Sequence, residues 1–118
     1  MDESRPIFQQ IAEQIENDII SGALPEETQV PSTNEFAAFH RINPATAGKG
    51  VNLLVDAGIL YKKRGIGMFV AEGARARLVA KRRDQFRQQF VAPLLTEAAK
   101  LGITNAQLAQ MITKEAKG

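Results

Sequence analysis

The 118-residue sequence has no cysteine and no tryptophan, and only one histidine and one tyrosine. Without cysteine, neither a disulfide nor a thiolate metal site can form. A lone histidine with no clustered carboxylates leaves no triad, dyad or metal set, so no enzymatic chemistry, metal or cofactor is expected. His40 falls near the end of a short helical segment, where a cation suits the helix dipole, and structural duty is the simpler reading. No apolar run approaches the length of a membrane span, and the opening MDESRPIFQQ is acidic and polar. Both features argue against a membrane anchor and a signal peptide, and a reducing cytoplasm is the expected compartment.

Apolar content of 44% is enough for a packed core in one small domain with an appendage. The net charge of +2 conceals an uneven distribution. Residues 1–40 hold eight acids and one base, whereas residues 41–90 hold eleven bases and three acids. Such a basic middle is the electrostatic footprint of a polyanion partner, although a solvated charged face would look the same.

Ile7, Phe8, Ile11, Ile15 and Ile19 recur at helical spacing, with Pro6 before them and Gly22 after, so a helix is expected over about 6–21. A polar, proline-bounded loop follows. Ser32-Thr33-Asn34-Glu35 forms a capping box, opening a short helix with an apolar face of Phe36, Ala37 and Phe39. After His40-Arg41-Ile42, Asn43 caps a third helix with Pro44 at its first position and Gly58 as its stop. Two β-prone runs, 59–63 and 68–71, flank Arg64-Gly65-Ile66-Gly67 and predict a hairpin. A helical tract over about 74–100 contains Pro93, which should kink or break it. Thr104 and Gln107 then cap a last helix through Ala116.

Three helices followed by a β-hairpin describe a winged helix-turn-helix. The expected fold is mainly α with one small hairpin. The expected division is a DNA-binding domain over residues 1–73 and a short two-helix dimerisation segment over 74–118, on the grounds given below.

The stretch NPATAGKGVN, residues 43–52, admits a second reading as a phosphate-binding loop. That template needs G-x-x-x-x-G-K-[ST] after a strand. Here Asn43 occupies the first glycine position, Gly50 the Ser/Thr position, and a helix precedes it. The helix reading gathers Ala47, Val51, Leu54 and Val55 on one side, at about 100° per residue, and Ala45, Lys49, Asn52 and Asp56 on the other. Small and hydrogen-bonding residues at a helix start can enter a major groove, and Lys49 can reach phosphate or a guanine edge. The helix starts at Ser32 and Asn43 also offer backbone N–H groups to phosphate. Gly48 and Gly50 each cost about 1 kcal/mol within a helix. Close packing of Gly50 on helix one or two, close approach of Gly48 to DNA, and simple tolerance of both all remain open.

The runs PIFQQIAEQIENDIISGAL, VPSTNEFA, INPATA and AGILYKKRGIGMFV together resemble the GntR family of bacterial transcription factors. The Ile-Asn-Pro start of the third helix and the short C-terminal extension resemble its YtrA subfamily. The likeness covers residues 6–71 and implies a DNA-binding repressor that dimerises through its C-terminal helices. Carried onto matching positions, it implies DNA contacts at Ser32, Thr33, Asn43, Ala45, Thr46, Lys49, Gly65 and Gly67. Three positions depart from the pattern: Asn34 replaces an arginine, Ala47 a larger valine, and Ile66 a polar wing-tip residue. Asn34, Gly48, Arg64 and Ile66 complete the candidate DNA-facing set, and Lys62, Lys63 and Arg64 are expected to meet phosphates. The run Lys81-Arg82-Arg83 is expected to lie off the duplex.

Only 45 residues follow the wing, enough for two helices. Such helices cannot bury an apolar stripe alone, so a second copy is expected to cover Leu78, Phe86, Phe90, Leu94, Leu101, Leu108, Met111 and Ile112. The opposing reading packs Phe86, Phe90 and Leu94 onto their own domain. The expected function is thus a repressor that binds an inverted-repeat operator in double-stranded DNA as a homodimer, with release by a small-molecule effector. A nonspecific architectural nucleic-acid-binding protein is the rival, and a protein-only adaptor the third candidate.

Overall fold

The computed structural model describes residues 4–118. The chain divides into two compact units: the first ends at Val79 and the second runs Ala80–Gly118.

In the first unit, α1 (Ile7–Ser21) begins after Pro6, which sits at the N-cap with extended ψ of 136° and so just outside the helix. The helix ends at Gly22, whose φ of +89° is the left-handed stop its sequence position predicts. The box at the start of α2 (Thr33–His40) closes both ways. Glu35 N–H donates to Ser32 Oγ at 3.1 Å, and Ser32 N–H donates to Glu35 Oε1 at 3.3 Å. α2 stops at Arg41, a non-glycine residue in the left-handed region (φ 55°, ψ 49°). Ile42 N–H then reaches back to the Ala37 carbonyl, which turns the chain sharply into α3 (Pro44–Asp56).

β1 (Leu60–Lys63) and β2 (Gly67–Val70) pair antiparallel, with Leu60 opposite Val70 and Lys63 opposite Gly67. The far edge of β2 is not bare. Glu27 N–H donates to Val70 O, Val70 N–H to Thr28 O, and Val30 N–H to Met68 O, all within 3.0 Å. Residues 27–30, expected only as loop, thereby cap the hairpin edge.

One apolar cluster holds this unit together. Ile11, Ile15 and Ile19 from α1 meet Phe36 and Ala37 from α2, Ala47, Val51 and Leu54 from α3, and Leu60 and Val70 from the hairpin. Two expectations are corrected here. Phe39 is 82% exposed and not part of the apolar face, because about 100° per residue swings it to the flank once Phe36 and Ala37 point inward. Leu78, expected at a dimer interface, is 1% exposed and belongs to the core of its own unit.

The helix α4 (Ala74–Phe86) opens in the first unit and continues into the second. Pro93 does not break the helical path. A π-helical segment (Arg87–Val91) precedes α5 (Ala92–Lys100), and Ala92 N–H bonds the Arg87 carbonyl five residues back. An α-helical turn would press the Gln89 carbonyl against the Pro93 ring, and the wider turn relieves that clash. Gly102, at φ +70°, reverses the chain, and Ile103 N–H closes onto the Ala98 carbonyl. The Thr104–Gln107 box then opens α6 (Asn105–Lys117). Ala98 and Leu108 are buried, whereas Phe86, Phe90, Leu94, Leu101, Met111 and Ile112 are between 43% and 66% exposed. Leu95, absent from the expected apolar set, is exposed to a similar extent.

Candidate nucleic-acid interface

Two helix starts lie side by side. A Cβ on Gly48 would meet Thr33 Cγ2 at 3.6 Å, so the opening of α2 touches the second turn of α3. Asn43 Oδ1 accepts from Ala45 N–H at 2.8 Å and fixes the entry of α3. Around this junction Ser32, Asn34, Asn43, Ala45 and Lys49 are exposed, and Thr33, Thr46 and Gly48 are half-buried. No member of the group is withdrawn into the core. Such a surface is small, polar and bordered by backbone N–H groups, which suits close approach of a duplex.

The hairpin tip supplies the other candidates. Ile66 N–H donates to Lys63 O at 2.9 Å across a turn in which Gly65 takes φ +76°, a value glycine adopts without a Cβ penalty. Gly67 has a second reason to be glycine. At φ +145°, its Cβ would fall 2.5 Å from Gln29 Nε2, which donates to the Ile66 carbonyl at 3.0 Å. Gln29 therefore buttresses the tip from outside the hairpin. Loop position alone carried no sign of this role. Arg64, Gly65 and Ile66 are exposed, and Ile66 keeps 64% of its surface accessible.

The two wing lysines differ. Lys63 shares a face with Tyr61 and Phe69, and its ammonium lies 4.3 Å from the Phe69 ring centroid. Lys62 is opposite Met68, on the other face. Tyr61 also donates to Glu27 Oε2 at 2.5 Å. That bond raises the phenol above its ordinary pKa, with smaller contributions in the same direction from desolvation and from the Glu27 charge.

The basic middle of the sequence is thinner as a surface than as a count. Arg75 Nε donates to the Ile20 carbonyl at 3.0 Å, in the last turn of α1. Arg77 donates to the Gly58 carbonyl at 2.7 Å, just past the end of α3. Both guanidinium groups cap helix C-termini, where cations oppose the dipole. Arg41, Lys49, Lys62, Lys63 and Arg64 remain around the helix starts and the wing. Lys49 itself rests against α1, with its ammonium 4.1 Å from the centroid of Phe8. Phe8 had only core periodicity to mark it in the sequence.

Among the described residues, no group of three or more acidic, histidine or cysteine side chains could hold a metal ion. No described helix is long and apolar enough to cross a membrane.

Comparison with known proteins matches residues 7–70 to the family model "Bacterial regulatory proteins, gntR family". The HTH-type transcriptional repressor YtrA of Bacillus subtilis (strain 168) is 28% identical over 109 residues, covering 92% of this chain and 83% of that protein. A crystal structure of a GntR-family transcriptional regulator from Bacteroides thetaiotaomicron superposes with a TM-score of 0.79 at 32% identity, over 94% of this chain and 96% of the other. The AraR(DBD) structure in complex with operator ORX1 matches 60% of this chain and 87% of its own, at 30% identity and a TM-score of 0.55.

Proposed function

This chain belongs to the gntR family of bacterial regulatory proteins, whose members bind DNA, and on that premise we propose that it is a homodimeric repressor of an inverted-repeat operator. The observation that carries the reading is the apposition of Thr33 and Gly48, where a Cβ at position 48 would lie 3.6 Å from Thr33 Cγ2, so that the starts of α2 and α3 form one small polar surface. In this reading the first residues of α3 enter the major groove, with Ala45 and Thr46 foremost and Lys49 at their flank. Ser32, Thr33, Asn34 and Asn43 orient the backbone of the duplex through the helix starts. Lys62, Lys63 and Arg64 lie along phosphates, and Gly65, Ile66 and Gly67 form the tip that follows the adjacent groove.

Dimerisation is supported by the apolar residues the second unit leaves exposed: Phe86, Phe90, Leu94, Leu101, Met111 and Ile112. A two-fold pair would set two α3 helices about one DNA turn apart, roughly 34–36 Å. Repression is supported by the likeness to the YtrA repressor, which extends over 92% of this chain. Assignment to that subfamily rests on the same likeness and on the Ile-Asn-Pro start of α3. Release by a small effector completes the proposal, with the cytoplasm as the place of action. The second unit has an open depression of about 550 Å³ in which Ile103 meets the polar groups of Gln107, Gln110 and Lys114, and its rim shares Leu101 and Met111 with the face assigned to dimerisation.

Selection of bound duplexes from a random pool tests the core of the proposal. It should return one inverted repeat whose preference over random DNA persists as salt rises. Loss of all affinity together, with no sequence recovered, would instead mark a nonspecific binder.

A further inference from the structure

Lys49 does not stand alone on the exposed side of α3. Its ammonium lies 4.1 Å from the centre of the Phe8 ring, on the neighbouring helix. The contact follows from the backbone. A Cβ on Gly50 would fall 2.7 Å from the Phe8 carbonyl oxygen and 3.0 Å from Ile11 Cγ2, so α1 and α3 meet without any intervening side chain. Closure at Gly50 brings the Phe8 ring alongside the residue before it. Lys49 remains exposed while Phe8 is half-buried, so the ring is anchored and the ammonium is accessible.

We propose that Phe8 is a positioning residue for DNA binding, holding the Lys49 ammonium at the seam of α1 and α3 to meet a backbone phosphate and not a base edge. A free lysine must surrender several rotatable bonds when it engages a duplex. A lysine already resting on an aromatic face has given up part of that freedom before DNA arrives. An ammonium is a point charge with no fork to align on a base, so it suits a phosphate approached from the side of α1. Phe8 thereby acts on the operator through Lys49 without touching it. The inference rests on the DNA-binding reading above.

A double-mutant cycle on the selected operator tests it, using Phe8→Leu, Lys49→Ala, the double variant and Phe8→Tyr. Phe8→Leu should weaken binding about two- to fivefold when Lys49 is present and leave it unchanged in the Lys49→Ala background. Phe8→Tyr keeps the ring and should bind as the wild type does. Lys49→Ala should lower the salt slope by about 1 and cost the same on every single-base variant of the operator. Equal losses from Phe8→Leu with and without Lys49 overturn the proposal, as does a Lys49→Ala loss confined to one base pair. A measurement on the unmutated protein guards against a poorly folding Phe8→Leu. The ring should shift the Lys49 ε-methylene protons upfield in the NMR spectrum, and their appearance at the ordinary lysine position also overturns the proposal. A wild-type chain that prefers no DNA sequence overturns the functional reading itself, an outcome distinct from additive losses in a chain that binds.

Discussion

Gly50 and the Phe8 carbonyl oxygen are in such close apposition that a Cβ at position 50 would lie 2.7 Å from that oxygen. The blocking atom belongs to the backbone, so it cannot rotate away as a side chain would. Relief requires α1 and α3 to separate, and the separation would loosen Ile11, Val51 and the rest of the cluster between them. Gly50→Ala should therefore destabilise the first unit by about 1–3 kcal/mol, the usual cost of overpacking, despite the roughly 1 kcal/mol that alanine gains in helix propensity. Urea denaturation followed by circular dichroism checks the sign, and an unchanged or raised midpoint contradicts the packing argument.

Gly48 makes the opposite case, two residues earlier on the same helix. A Cβ added there would have Thr33 Cγ2 as its nearest neighbour, at 3.6 Å, an ordinary van der Waals distance. Gly48→Ala should stabilise the free protein by up to about 1 kcal/mol. On the proposed operator the added methyl should reduce affinity if Gly48 belongs to the DNA-facing set expected from the sequence. A variant that is more stable and binds equally well would remove Gly48 from the interface.

The contrast between these glycines shows where sequence reasoning reaches its limit. Periodicity placed both within a helix and put Gly50 near the core side. The partner it packs against depends on how α1 crosses α3, which no local pattern encodes. Local chemistry was legible throughout: both capping boxes, the Asn43 cap and the Gly22, Gly58 and Gly102 stops all occur as their residue types require. Contacts distant in sequence were not. Gln29 behind the wing tip, and Arg75 and Arg77 on two helix ends, are joined to their partners only by the tertiary fold. Counting Arg75 and Arg77 toward a DNA-facing patch overstated that patch for this reason.

Leu78 and Phe90 stood in one expected apolar stripe but should respond differently to substitution. Leu78 is 1% exposed in the core of the first unit, so Leu78→Ala should cost about 2–5 kcal/mol and leave a poorly folded domain. Phe90 is 60% exposed, with its ring 5.5 Å from that of Phe86. Phe90→Glu should leave the melting of the first unit unchanged while shifting sedimentation equilibrium from dimer to monomer. Operator affinity should fall at least about tenfold, since one half-site alone would then hold each chain. A Phe90→Glu protein that stays dimeric rules out this face as the interface.

The wing offers a sharper test of electrostatics than any single affinity. Lys62 and Lys63 lie on opposite faces of β1, and Lys63 rests on Phe69. If both meet phosphates, Lys62→Gln and Lys63→Gln should each reduce the slope of log affinity against log salt by about 1, without altering which sequence is preferred. Binding titrations at several salt concentrations on the operator and on random DNA give the slope directly. A substitution that changes base preference instead assigns that lysine to direct readout.

Tyr61 reports on the wing with unusual clarity, because it is the only tyrosine and the chain has no tryptophan. Its hydroxyl donates to Glu27 Oε2 at 2.5 Å, binding the hairpin to the segment that caps its edge. The bond exists only while the phenol is protonated, so folding favours that form and the folded pKa lies above the ordinary value. A raised folded pKa means the native state holds its proton when the unfolded chain has released it. The contribution to stability is therefore complete below about pH 10, the unfolded value, and is lost as pH rises through the folded one. Absorbance at 295 nm should give a tyrosinate midpoint higher in the native protein than in concentrated urea. Glu27→Ala should lower the native midpoint toward the urea value, and loosening of the wing should appear as faster amide exchange at Val70, whose carbonyl and N–H both bond to the same segment. Native and urea midpoints that coincide would mean the Tyr61–Glu27 bond does not persist in solution, leaving the hairpin edge to the backbone bonds of residues 27–30 alone.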